Sequence, residues 1–205
     1  MSPPAGRRRN ARRWVAGLIL GCALAGCGGA HSGSPAKSNA SFDALIGGGT
    51  RLLDRGNETA AARVFEQAIA KNPKSPVGYY DLGVVYGRLG QRRESLTQYA
   101  RALHENENYV PALYNYGVAF VSSQPPLAIY FFRRVLALQP DSPTALLNLG
   151  LLVSTGSRRR VGALRLMKRA VLLQPSLEAS IPPSLRSAVD HTRLPRRPQA
   201  KKRTR

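Results

Sequence analysis

One spacing constrains this chain more than any single residue does. Gly83 has counterparts 34 residues back at Gly49, 34 forward at Gly117 and a further 33 on at Gly150. Each keeps the same company: Leu45, Gly48 and Leu52; Tyr79, Leu82 and Tyr86; Leu113, Tyr116 and Phe120; Leu146, Leu149 and Val153. A second set recurs behind the first, as Ala61, Phe65, Ala68, then Ser95, Tyr99, Ala102, then Ala128, Phe132, Val135, then Ala163, Met167, Ala170. Residues three, four and seven apart share one face of a helix. Two such faces per period of about 34 residues predict helix pairs. None can bury its apolar side alone, so the pairs must stack on one another.

These residues resemble the tetratricopeptide repeat (TPR) family, whose pattern is a large residue, Leu-Gly, Tyr, then Ala, Phe, Ala and a closing Pro. The closing prolines here are Pro73, Pro140 and Pro175, and Glu107 stands in the second place. The resemblance runs from about Phe42 to Pro175. Gly48 and Leu52 in the first copy, Val135 for Ala and Met167 for the aromatic depart from it. It implies an all-α chain, a right-handed α-solenoid of about four helix hairpins. Gly47, Gly48 and Gly49 lie inside the first helix of the first hairpin. An interior glycine costs about 1 kcal/mol against alanine, so that helix is expected to fray most. The glycine run lacks the Lys-Ser or Lys-Thr of a phosphate loop, which speaks against nucleotide binding there. Pro125-Pro126 suits a helix start.

In the TPR family the first helix of each hairpin lines a concave groove for an extended peptide or a helix. By position, that groove would show Tyr80, Asp81 and Val84 from copy two, Tyr114, Asn115 and Val118 from copy three, and Leu147, Asn148 and Leu151 from copy four. Asn115 and Asn148 match positions where related repeats hold a partner's backbone; a carboxamide both donates to and accepts from a peptide group. The same asparagines are common in any such repeat, and the tyrosines fit partly exposed packing equally well. The lysines with which family members clamp a chaperone's C-terminal carboxylate are missing.

Ahead of the repeats, Arg7, Arg8, Arg9, Arg12 and Arg13 precede an apolar or small run from Trp14 to Ala25. Twelve residues are too few to cross a bilayer core of about 30 Å, but they suit the core of a signal peptide. The run ends Leu24-Ala25-Gly26-Cys27, which resembles the bacterial lipobox. That resemblance implies a lipoprotein signal peptide over 1–26 and diacylglycerol on the Cys27 thiol. It places the chain on the bacterial membrane, the outer one if the cell has two. Cys22 competes for the role with a shorter apolar core, and an ordinary cleaved signal with an incidental cysteine is the plainer alternative. Residues 27–41, rich in Gly, Ser, Ala and Asn, read as a flexible tether to a repeat domain over 42–175. Cys22 and Cys27 are the chain's two cysteines, so no disulfide framework holds the repeats.

The net charge is +20; without the five leading arginines it is still +15, from 26 basic residues against 11 acids. Such a balance favours anionic partners. Arg158, Arg159, Arg160, Arg165, Lys168 and Arg169 crowd the last helix of the repeats. Cations at its start oppose the helix dipole, which hints at a role. Residues 176–205 read as a capping segment, with a short helix over Ser184 to His191, followed by a basic disordered tail. The basic residues from Arg186 to Arg205 are expected to meet anionic lipid or cell-wall polymer, or simply to keep the chain soluble. Stacking aromatics are absent from the tail, and no nucleic-acid partner is expected. His31, His104 and His191 are scattered, and His104, Glu105 and Glu107 read as a solvated helix end. No metal site, cofactor, nucleophile motif or catalytic carboxylate pair is expected, and no enzyme. The function expected is a membrane-anchored scaffold for protein–protein contact at the envelope. Two alternatives stay open. Lipoproteins with these repeats resemble pilotins, assembly factors for type IV pilus or secretion secretins. A structural envelope-binding protein acting through its basic tail is the other.

Overall fold

The computed structural model describes residues 40–154 and 160–194. Cys27, most of the tether, Arg158, Arg159 and the tail from residue 195 lie outside the described residues. The described residues form nine α-helices, one 3-10 segment and no strand. None of these helices is long and apolar enough to cross a membrane. The chain divides between Arg134 and Val135 into two compact units.

The first unit holds α1 (Ala40–Asp54), α2 (Glu58–Lys71), α3 (Pro76–Arg88), α4 (Arg92–Glu105), α5 (Val110–Phe120) and most of α6 (Pro125–Leu138). Local chemistry sets the helix starts. The Asn57 side chain accepts the Ala60 N–H at 3.2 Å, and the Ser75 hydroxyl accepts that of Val77 at 3.4 Å. Pro76 opens α3, where its missing N–H has no intrahelical partner to lose, and Pro125 opens α6 as the proline pair predicts. Gly56 and Gly90, 34 residues apart, end α1 and α3 at φ +73° and +74°, a left-handed conformation that suits glycine.

The glycine row marks where paired helices touch. A Cβ on Gly83 of α3 would lie 2.6 Å from the Tyr99 ring of α4 and 3.3 Å from the Ser95 carbonyl. Ser95, buried, donates back to the Gly83 carbonyl at 2.8 Å, so its hydroxyl is satisfied. Between α1 and α2 the same approach sets Gly49 against Phe65, at 2.5 Å from such a Cβ. Phe65 has no exposed surface; with Leu53, Ala61, Leu82 and Val85 it forms the core of this part. Helix α1 runs unbroken through Gly47-Gly48-Gly49. A Cβ on Gly47 would meet only the Arg51 guanidinium at 3.4 Å, and one on Gly48 nothing nearer than 3.9 Å.

The second unit holds the end of α6, then α7 (Pro143–Val153), α8 (Arg160–Leu173), the 3-10 segment Pro175–Ser180 and α9 (Pro183–Asp190). Gly150 repeats the close approach: its Cβ would fall 3.0 Å from the Ala163 carbonyl and 2.9 Å from Met167. Ile181 and Val189 fold onto Leu146, Leu147, Met167 and Ala170. The expected capping helix is therefore present, one residue early at each end. Burial of one such aliphatic side chain contributes about 1.5–3 kcal/mol.

Several cations, some of them set apart by the sequence, are structural braces. Where Glu107 replaces a closing proline, Arg134 donates to its carbonyl at 2.7 Å and to the Asn108 side chain at 3.1 Å. Arg169 makes the equivalent reach to Asp141, with Nε at 3.1 Å and Nη2 on the same oxygen. Lys168 donates to the Asp190 carbonyl. The crowding of Lys168 and Arg169 thus needs no external partner. Arg186 does not belong to a free tail either. It lies in α9 and donates to the carbonyls of Ile181 at 2.9 Å and Ala179 at 3.1 Å.

Candidate functional site

Helices α3 and α5 are the first helices of consecutive hairpins, and their glycine rows turn inward against α4 and α6. Tyr80, Asp81 and Val84 on α3, and Tyr114, Asn115 and Val118 on α5, are consequently all half-buried rather than enclosed. Val84 packs at the margin of the Phe65 core, and Tyr114 tilts against Phe132 with ring centres 5.7 Å apart.

Five of the polar side chains in this part of the first unit converge. Asn115 donates its side-chain N–H to the Tyr80 hydroxyl at 3.3 Å and to the Tyr99 hydroxyl at 3.5 Å. Its carboxamide oxygen accepts nothing from the described residues, and such an oxygen can accept from an N–H. The Tyr80 ring stands 6.0 Å from Tyr99 and meets Tyr109 edge-on at 5.6 Å. Asp81 lies close enough to all three hydroxyls to push their ionisation upward, though burial is the larger cause for each. Burial alone raises the Asp81 carboxyl from 3.8 to about 7.

Tyr99 and Tyr109 join this cluster without having been expected there. Tyr99 occupies the register of Phe65 and Phe132, where a ring is needed for packing, and its hydroxyl is the addition. Tyr109 precedes α5 at the cap position filled by Ser75 before α3 and Ser142 before α7. An aromatic in a serine register is the sequence signal that marks it.

In the second unit, Asn148 and Leu151 of α7 are half-buried. Leu147 is not available to a ligand: it is 2% exposed and belongs to the core with Met167, Ile181 and Val189. That core includes Ile181 and Val189 of the capping segment, whose place over this hairpin the repeat spacing does not encode. Elsewhere in the first unit, Arg92, Arg93, Leu96, Thr97, Ala100, Arg101 and His104 of α4 border an open cleft of about 770 Å³ with Tyr116. None of the expected face residues lines it. Among the described residues no three of His, Cys, Asp or Glu come together as metal ligands would.

Comparison with known proteins agrees with the helix pairs. Residues 49–90 match the family model described as TPR repeat, and residues 80–143 match one described as Tetratricopeptide repeat. The chain carries TPR repeats over these residues, and such repeats are protein-interaction scaffolds. Over 69 residues it is 33% identical to human Superkiller complex protein 3, a stretch that is 34% of this chain and only 4% of that protein. Among solved structures, pilF of Pseudomonas aeruginosa superposes with a TM-score of 0.64 at 23% identity, covering 74% of this chain and 70% of that one. MamA of Desulfovibrio magneticus RS-1 gives 0.58 at 23% identity, over 68% and 79%. The first TPR of Spaghetti (RPAP3), bound to the HSP90 peptide SRMEEVD, gives 0.53 at 21%, over 57% and 93%. At these identities the likeness is one of fold.

Proposed function

We propose that this chain is a membrane-anchored scaffold that holds a segment of another protein against the α3–α5 face at the bacterial envelope. The observation that carries the reading is the half-buried cluster on two consecutive first helices. Asn115 is held by tyrosine hydroxyls with its oxygen free, so it is ordered before any ligand arrives. Ordering in advance lowers the entropy that binding must overcome. The lipobox-like segment ending at Cys27 supports the anchor. Fixing the scaffold to a membrane raises its local concentration against any partner held there, and the face does the selecting. A pilotin-like assembly factor is a narrower form of the same reading, supported by repeats and a lipobox-like segment in one chain.

A photo-crosslinking amino acid at Val118 tests the face. A discrete adduct is expected in host cells, lost when Tyr80 and Tyr114 are replaced by alanine while helicity persists. The same crosslinker at exposed Glu66 on α2 should give none. Equal adducts from both positions, or an adduct indifferent to the tyrosines, would remove the face from the reading. A second reading, contact with anionic lipid or wall polymer through basic surface and tail, is favoured by the net charge of +20 and by the arginine-bordered cleft along α4.

A further inference from the structure

Asp81 has no structural task that would explain a carboxylate. It makes no ion pair or hydrogen bond with any described residue, and burial is the cause of its altered acidity. Across α3, α5 and α7 the charged side chains are Asp81 and Arg88 alone, and Arg88 is committed to the Leu53 carbonyl at 2.8 Å. In a chain with 31 basic residues and 11 acids, the first helices of three successive hairpins therefore carry one uncommitted charge, and it is negative. A carboxylate stripped of water without a counter-ion is costly, and the cost is relieved when a cation arrives.

The surroundings fit that cation. Tyr80 from α3, Tyr99 from α4 and Tyr109 at the start of α5 stand together, with the Tyr109 and Tyr99 ring centres 5.6 and 6.0 Å from that of Tyr80, and the Asp81 charge reaches all three hydroxyls. Their hydroxyls are held neutral by burial, and no described cation competes for the space. Aromatic faces attract ammonium and guanidinium groups, and the reduced dielectric of a half-buried site strengthens the pull of the carboxylate. An acidic segment would meet the opposite: an uncompensated like charge.

We propose that Asp81, with Tyr80, Tyr99 and Tyr109, forms a subsite for a cationic side chain, lysine or arginine, of the segment bound on the α3–α5 face. The proposal rests on the reading of that face as a binding site, and the test separates the two. In the first arm, the full chain is titrated at pH 8 with N-acetyl-lysine methylamide, N-acetyl-arginine methylamide and the uncharged N-acetyl-norleucine methylamide. NMR shifts at Tyr80, Asp81 and Tyr109 are expected with the two cationic probes and not with norleucine. Asp81→Asn, which keeps shape and removes charge, should abolish them while leaving the circular dichroism spectrum intact. Shifts of equal size for lysine and norleucine, or shifts that survive Asp81→Asn, overturn the subsite.

The second arm pans random twelve-residue peptides against the full chain. Enriched peptides should share one basic position. Replacing that residue with norleucine should cost about ten- to a hundredfold in affinity for the natural chain and little for Asp81→Asn. Peptides that compete with one another, lose binding to Tyr114→Ala and lack any basic position would keep the face and sink the subsite. Cationic probes that bind at Asp81 while no peptide depends on Tyr114 would sustain the subsite and remove the wider face.

Discussion

Three consecutive glycines in α1 carry opposite consequences. A methyl group on Gly49 would fall 2.5 Å from the Phe65 ring, which itself has no exposed surface and cannot retreat. Gly49→Ala should therefore cost about 1–3 kcal/mol through overpacking. Gly48 has room, with its nearest neighbours at 3.9 Å, so Gly48→Ala should gain up to about 1 kcal/mol from helix propensity alone. Urea denaturation of the two variants checks the sign of each. Asp81 makes a second residue-scale prediction. Its carboxyl sits near 7 when folded against 3.8 as an ordinary group, so between those values the folded chain keeps a proton that the unfolded chain has shed. The stability this contributes is full below about pH 4 and is lost as pH rises through 7. Asp81→Asn should match the natural chain at pH 4 and exceed it at pH 8 by about 1–3 kcal/mol, read as a difference in melting temperature at each pH. A pH-independent difference would show that the carboxylate is solvated after all.

At the scale of elements, α9 closes the second unit by seating Ile181 and Val189, 1% and 3% exposed, on the α7–α8 hairpin. Ile181→Ala should cost about 2–5 kcal/mol and speed hydrogen exchange in α7 and α8, whereas exposed Arg165→Ala should change stability by no more than about 0.5 kcal/mol. The helices and their pairing were legible in the chain because close approach admits few residue types: glycine opposite a ring at 49 and 83, alanine wherever a helix backbone comes near. Repeated every 34 residues, those demands leave a pattern that survives local departures such as Met167. The polar cluster was half legible. Tyr80, Asp81 and Asn115 follow from register within a helix. Tyr99 and Tyr109 reach the cluster from other elements, and no spacing within one helix announces that. The braces made by Arg134 and Arg169 were hidden for the same reason: donor and acceptor lie 26 to 28 residues apart. Leu147 was misread because its helix alone does not reveal the cap that covers it.

For the whole molecule, charge and anchor act on membrane affinity with different signatures. Arg186 belongs to the folded cap, so a deletion beginning there would cut α9; removing residues 195–205 takes six basic residues and spares every described helix. Each cation near an anionic surface contributes about 1 kcal/mol, an attraction that falls within a Debye length and is screened by salt. An acyl chain contributes about 0.8 kcal/mol for each buried methylene and is nearly indifferent to salt, and two chains hold stably. If Cys27 carries diacylglycerol, the chain expressed in a bacterium should stay with membranes through 1 M salt and leave only with detergent. Cys27→Ser should abolish that resistance, and whatever membrane association remains should be released by salt and diminished by removing residues 195–205. Cys22→Ser should change neither. Salt release of the natural chain, together with an unmodified Cys27 thiol by mass spectrometry, would refute the anchor and leave the cationic surface as its remaining hold on a membrane.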